Sequence, residues 1–189
     1  MENYKNFNYE IEQDEFAENP VENGNYEIIG FGEYGTQHNY ENPQDVIDTN
    51  KKDYYIFPLR AYIHSGMALS LTDECPFNDQ WDSGFYGFIM FKKEKGIGKI
   101  KSFEWAKSYI EEYNQWLSGD VYSFIIYDEN GEILDSCSGF FGYDYIEREV
   151  FFEIDYHINE LKKEHLDKLK QQIKKHVPLH YRNNFPCFS

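Results

Sequence analysis

The chain has 189 residues and a mass of 22.7 kDa, which suits one compact domain with an appended tail. A composition of 41% hydrophobic and 19% aromatic residues excludes wholesale disorder. Acids outnumber bases 34 to 18 for a net charge of −16, which excludes an ordinary DNA or RNA reader whose affinity comes from neutralising phosphates. No apolar run approaches the roughly 18 residues of a membrane span. The start MENYKNFNYEIEQDEF lacks the basic and apolar stretches of a signal peptide. Cys75, Cys137 and Cys187 form no CxxC pair, so a reducing, cytoplasmic setting is expected.

Residues 1–53 hold 13 acids and 3 bases, residues 54–160 hold 19 and 8, and residues 161–189 hold 2 and 7. The first segment is rich in Asn, Gly and Glu, and its composition predicts a weakly structured acidic arm. Within it, the short apolar stretch from Tyr26 to Phe31 predicts an edge strand. From Asp53, the run DYYIFPLRAYIHSGMALSL predicts a strand to about His64, a turn at Ser65-Gly66 and a second strand from Met67 to Leu71. Pro58 lacks a backbone N–H and marks a break or an edge there. After the turn-rich loop DECPFNDQWDSG comes FYGFIMFKKEK, a strand too apolar on both faces for an exposed edge.

A helix follows, with Ser102 as its expected N-cap and Phe103, Ala106, Ile110, Tyr113 and Leu117 at spacings of three and four. Gly119 stands where a left-handed C-cap belongs. VYSFIIYDE and EILDSCSGFFG flank Asn130-Gly131, a pair that predicts a hairpin with a tight type I′ turn. From about Tyr143 the chain reads as a helix. Its apolar stripe is Ile158, Leu161, His165, Leu169 and Ile173, with Lys162, Lys163, Lys168, Lys170, Lys174 and Lys175 on other faces and Pro178 as the stop. The expected class is α+β: an antiparallel sheet of four to six strands, one packed helix, a basic C-terminal helix and a weakly structured acidic N-terminal segment. The expected divisions are residues 1–53, a core of 54–142 and a helical region and tail of 143–189.

Several motifs fail on spacing. Gly30, Gly32 and Gly35 match G-x-G-x-x-G, yet TQHNYENPQD follows where a helix would have to face the pyrophosphate. His157, His165, His176 and His180 lie on or beyond the last helix without HExxH or a cysteine pair, so solvated histidines and no metal are expected. Asp73, Glu74, Asn78, Asp79 and Asp82 cluster oxygens, but Phe77 and Trp81 interrupt them and a calcium loop's closing acid is missing. His64 and Ser65 are adjacent and would point to opposite faces of a strand. Cys137 is expected as an inert buried thiol. No catalytic residue and no cofactor are assigned.

One pattern repeats. Asp82-Ser83-Gly84 precedes Tyr86-Gly87, and Asp135-Ser136 precedes Gly139 and Phe141-Gly142. The structural reading is two similar strand-edge turns. The sharper reading is a polar patch of His64, Asp82, Ser83, Asp135 and Ser136 on one sheet edge.

The order FPL…YIHSG, CPFNDQWDSGFYGFI and WLSGDVYSFIIYDENGEILDSCSGFFG, over about residues 55–145, resembles a group of accessory proteins encoded by phages and conjugative elements of Gram-positive bacteria. The resemblance implies a genomic context of host takeover or counter-defence, and it carries no catalytic residues.

Electrostatics supplies a matching expectation. Duplex DNA carries a charge about every 1.7 Å of its axis, so the clefts that hold it are basic, and an acidic chain can compete for them as a DNA mimic. The expected partner is a host defence protein or ribonucleoprotein complex of the CRISPR-effector or restriction-enzyme kind. The expected contacts are Glu10, Glu12, Asp14, Glu15, Glu18, Glu22, Glu111 and Glu112, with Tyr4, Phe7, Tyr9 and Phe16 as aromatic anchors. Two alternatives stand beside it: a small-ligand binder or enzyme using His64, Asp82 and Asp135, and a bridging module whose lysines, Lys162 to Lys175, touch phosphate.

Overall fold

The computed structural model describes residues 1–22, 24–72 and 82–176. In chain order the elements are β1 (Glu2–Tyr4), β2 (Phe7–Gln13), β3 (Tyr26–Gly30), α1 (Pro43–Asn50), β4 (Tyr54–Ile63), β5 (Met67–Leu71), β6 (Ser83–Lys92), α2 (Lys99–Ser118), β7 (Val121–Tyr127), β8 (Ile133–Phe141) and α3 (Tyr143–His176). The class is α+β, with the strands divided between two four-stranded antiparallel sheets ordered β1-β2-β7-β8 and β3-β6-β4-β5. Of the described residues, a terminal unit holds 1–11, 124–137 and 144–176, and a central unit holds 12–123 and 138–143. These units cut across the divisions at 53 and 142.

In the central unit, β4 alternates strictly. Phe57, Leu59 and Ala61 are buried with Ile89 and Phe91 of β6 against Ala106, Ile110 and Tyr113 of α2. On the opposite face Ile29, Phe88 and Met90 bury against Val46 of α1. With both faces covered, β6 reads as the continuous apolar run seen in the sequence. The β4–β6 register shifts between Leu59 and Arg60, which leaves Tyr86 as the extra residue of a bulge. That bulge lets Tyr86 join the α2-side core despite its even number.

Pro58 is tolerated because β5 pairs with β4 only from Leu59 on, so the proline has a ladder partner on one side alone. The outer edge of β5 is closed by α2. The Asn114 side chain accepts from Leu69 N–H at 2.7 Å and donates to Leu69 C=O at 2.8 Å, as a further strand would. As expected, β3 is an edge strand and Gly119 is left-handed, with φ of 71°. The N-cap of α2 is Gly98, however. Ser102 is fully buried one turn in, where its hydroxyl donates back to Gly98 C=O at 3.2 Å.

The terminal unit corrects the reading of residues 1–53 as weakly structured. Lys5 and Asn6, with φ of 50° and 74°, turn β1 into β2, and Phe7 and Tyr9 alternate inward as buried residues. Spaced acids along a strand are simply its solvent face, which composition alone cannot distinguish from disorder. The expected type I′ turn at Asn130-Gly131 is a longer loop. Only Gly131 has positive φ, and Asp128 accepts from the N–H groups of Asn130 and Glu132, both at 2.8 Å.

The long helix α3 buries Ile146, Val150 and Ile154 at four-residue spacing. Phe151 stacks on Tyr4 at 4.3 Å and meets Tyr9 edge-on at 5.9 Å, and Lys5 pairs with Asp155 at 2.7 Å. The stripe expected further along is not buried: Leu161 and Leu169 are 56% and 40% exposed. Pro178 and His180 lie outside the described residues.

Candidate functional site

The polar patch divides. Within the central unit, His64 directly follows β4, Asp82 directly precedes β6 and Ser83 opens it. His64 Nδ1 lies 2.9 Å from Asp82 Oδ2, and Ile63 N–H donates to Asp82 C=O at 2.8 Å. Arg60 Nη2 donates to Ser83 Oγ at 3.4 Å, while its buried Nε has no hydrogen-bond partner. Asp82 and Ser83 line a cavity of about 360 Å³ with Phe31, Tyr34, Phe85 and Tyr86.

Asp135 and Ser136 belong to β8, in the other sheet. A single sheet-edge patch of all five residues is therefore not formed. The repeated Asp-Ser-Gly segments also differ in backbone: Asp82 precedes its strand, whereas Asp135 lies inside β8, and Gly139 but not Gly84 has positive φ. Short motif likeness reports side-chain chemistry, whereas sheet membership is set by distant pairing. Cys137 is exposed rather than buried, because most of β8 is solvent-facing. Cys75, Cys187, Asp73, Glu74, Asn78 and Asp79 lie outside the described residues.

The acidic residues give a clearer convergence. In the central unit a cavity of about 560 Å³ is lined by Asp14, Phe16, Glu18, Tyr26, Tyr109 and Glu112, together with Pro20, Val121 and Phe141. The loop that carries Asp14, Phe16 and Glu18 is anchored by Trp116, whose indole N–H donates to Ala17 C=O at 3.0 Å. Local turns order it further, with Asp14 accepting from Phe16 N–H and Asn19 from Val21 N–H. Burial holds the Glu112 carboxyl above the usual range. Burial first, then the Glu112 charge, push the Tyr26 phenol well above the usual tyrosine range, and its hydroxyl is buried without a partner.

Four of the expected contacts thus share one cavity: Asp14, Phe16, Glu18 and Glu112. Glu12, Glu15, Glu22 and Glu111 are exposed residues of the same unit. Tyr9 and Glu10 are corrections. Tyr9 is core and donates to Glu2 at 2.7 Å, and Glu10 accepts from the Tyr127 hydroxyl at 2.8 Å, so strand alternation commits both to the terminal unit. Tyr4 and Phe7 are likewise packed there. Phe16 is 89% exposed.

On α3, Lys163, Lys168 and Lys170 each pair with an acid three or four residues away, at 3.4 to 3.6 Å. Such exposed pairs contribute little stability but dilute the basic face. His165 and His176 are exposed as expected, but His157 is half-buried and lies 3.3 Å from Asp135. Glu153 stands four residues before His157 on α3. The i, i+4 spacing of an acid and a histidine was its available signal. Among the described residues no helix is long and apolar enough to cross a membrane. Comparison with family models, curated proteins and solved structures returned no match.

Proposed function

We propose that this chain is a non-enzymatic, partner-binding protein, a counter-defence factor of a mobile element that occupies the basic nucleic-acid cleft of a host nuclease or CRISPR effector. The observation that carries this reading is the convergence of Asp14, Glu18 and Glu112 with Phe16, Tyr26 and Tyr109 on one cavity, in a chain of net charge −16. A Lys or Arg side chain of the partner finds carboxylates to pair with and aromatic rings for its stem and its charge. The partly desolvated Glu112 gains most from such a pairing, since a cation beside it offsets the cost of its burial. The surrounding Glu12, Glu15, Glu22 and Glu111 add a long-range field that speeds encounter and fades with salt.

The test is inhibition of purified restriction enzymes and CRISPR effectors at rising ionic strength. Inhibition is expected at low salt and is expected to weaken as salt rises. The triple variant Asp14→Asn, Glu18→Gln, Glu112→Gln loses three charge pairs of about 0.5–1 kcal/mol each, or roughly 10–150-fold in potency. Potency unchanged in the triple variant refutes the reading.

A second reading rests on the cavity lined by Asp82 and Ser83. Asp82 and Ser83 in its wall, with His64 held 2.9 Å from Asp82, fit a small polar ligand. Under that reading Asp82→Asn abolishes the activity and the acidic triple variant leaves it intact.

A further inference from the structure

We infer that Asp135, Glu153 and His157 form a binding site for a divalent first-row transition ion, with Zn²⁺ as its test metal. All three residues lie in the terminal unit. Glu153 and His157, four apart on α3, project from one face of the helix, and Asp135 reaches them from β8. One ligand atom from each lies within 4.8 Å of the others.

The spacing suits an ion. Ligands at about 2.0–2.1 Å around tetrahedral zinc stand about 3.4 Å apart. His157 Nε2 and Asp135 Oδ2 are already 3.3 Å apart, which is long for a charge-assisted hydrogen bond of about 2.8 Å. The Glu153 carboxylate, on two flexible methylenes, has at most about 1.4 Å to close.

An independent feature lies outside the three ligands. The backbone N–H of Ser136 donates to Asp135 Oδ1 at 2.8 Å, which fixes the carboxylate and turns its other oxygen, Oδ2, toward His157. Orientation of a ligating carboxylate by an outer hydrogen bond is the usual support of a metal site.

The charge is also unbalanced. Among the described residues no Lys or Arg pairs with Asp135 or Glu153, whereas Asp155, two positions along the same helix, is matched by Lys5. Two half-buried acidic side chains beside one imidazole offer hard oxygen and borderline nitrogen donors to a divalent cation. The donor set selects among cations. One imidazole with two carboxylates suits Zn²⁺, Fe²⁺ or Mn²⁺, whereas Mg²⁺ and Ca²⁺ favour oxygen ligands alone. Three protein ligands leave a fourth position for water.

The experiment is calorimetric titration of the full chain with Zn²⁺, alongside a thermal melt with and without the metal. One equivalent is expected to bind and raise the melting temperature, with Mg²⁺ giving no comparable heat. Glu153→Gln and His157→Gln are each expected to weaken Zn²⁺ by roughly tenfold or more, while far-UV circular dichroism shows both folded. His165→Ala and Cys137→Ser are expected to leave the affinity unchanged. Absence of stoichiometric binding overturns the proposal, and so does binding lost in Cys137→Ser but kept in His157→Gln.

Discussion

Gly87→Ala tests how the edge strand β3 is held. Gly87 faces Gly30 in the β3–β6 register, and a methyl built there lies 1.8 Å from Ile29 O and 3.0 Å from Gly30 Cα. Ordinary contact starts at 3.4 Å, so the strands must part by about 1.6 Å, the difference of the two distances. That parting carries a backbone hydrogen bond of about 2.9 Å far past useful length. The Phe31 N–H to Tyr86 C=O bond of 2.8 Å and the bonds around the Ile29 and Gly30 pairs are at stake. About three such bonds at about 1 kcal/mol each, with about 1 kcal/mol for partial exposure of Ile28 and Ile29, give a loss of about 4 kcal/mol. The assay is urea unfolding followed by tryptophan fluorescence, since Trp105 and Trp116 sit on α2 in the same unit. Gly84→Ala is the control: the same strand, with nothing within 4 Å of its added methyl, and an expected change within about 0.5 kcal/mol. A loss under about 1 kcal/mol at Gly87, or an equal loss at Gly84, refutes the close-approach argument.

Tyr26→Phe removes a buried hydroxyl that has no partner and keeps the ring stacked on Tyr109 at 4.3 Å. It is expected to stabilise the chain by about 1 kcal/mol in the same unfolding assay, and a loss would reveal a hydrogen bond to that oxygen. Glu112 gives a pH test. Because its carboxyl is held above the ordinary value, the folded state binds the proton more tightly than the unfolded chain. Its contribution is present below the ordinary carboxylate value of about 4.3 and is lost as pH rises through the raised value. Glu112→Gln is therefore expected to melt above wild type at neutral pH and to converge with it near pH 4. A variant that melts lower at neutral pH refutes the burial argument. A higher melting temperature at neutral pH, together with the loss of potency expected above, would show a carboxylate kept for binding at a cost in stability.

The sequence by itself determined the α+β class, a strand from Asp53 to about His64, one from Met67 to Leu71 and one within FYGFIMFKKEK, the central helix with its glycine cap, and a hairpin followed by a long helix. These follow from side-chain periodicity and turn chemistry, which act over a few residues. The fold of the first fifty-three residues is not legible in composition, because Phe7 and Tyr9 among acids look alike in a solvated arm and in a strand with one wet face. Only the tertiary structure decided which strands share a sheet, and so placed β6, which Asp82 precedes, and β8, which holds Asp135, in different sheets despite their similar surroundings in sequence. It also carried Asp14, Phe16 and Glu18 to Glu112, about a hundred positions away, and set Asp135 against Glu153 and His157. Such meetings depend on long-range strand pairing and helix packing, whose free energy comes from burial across the whole chain rather than from any local pattern.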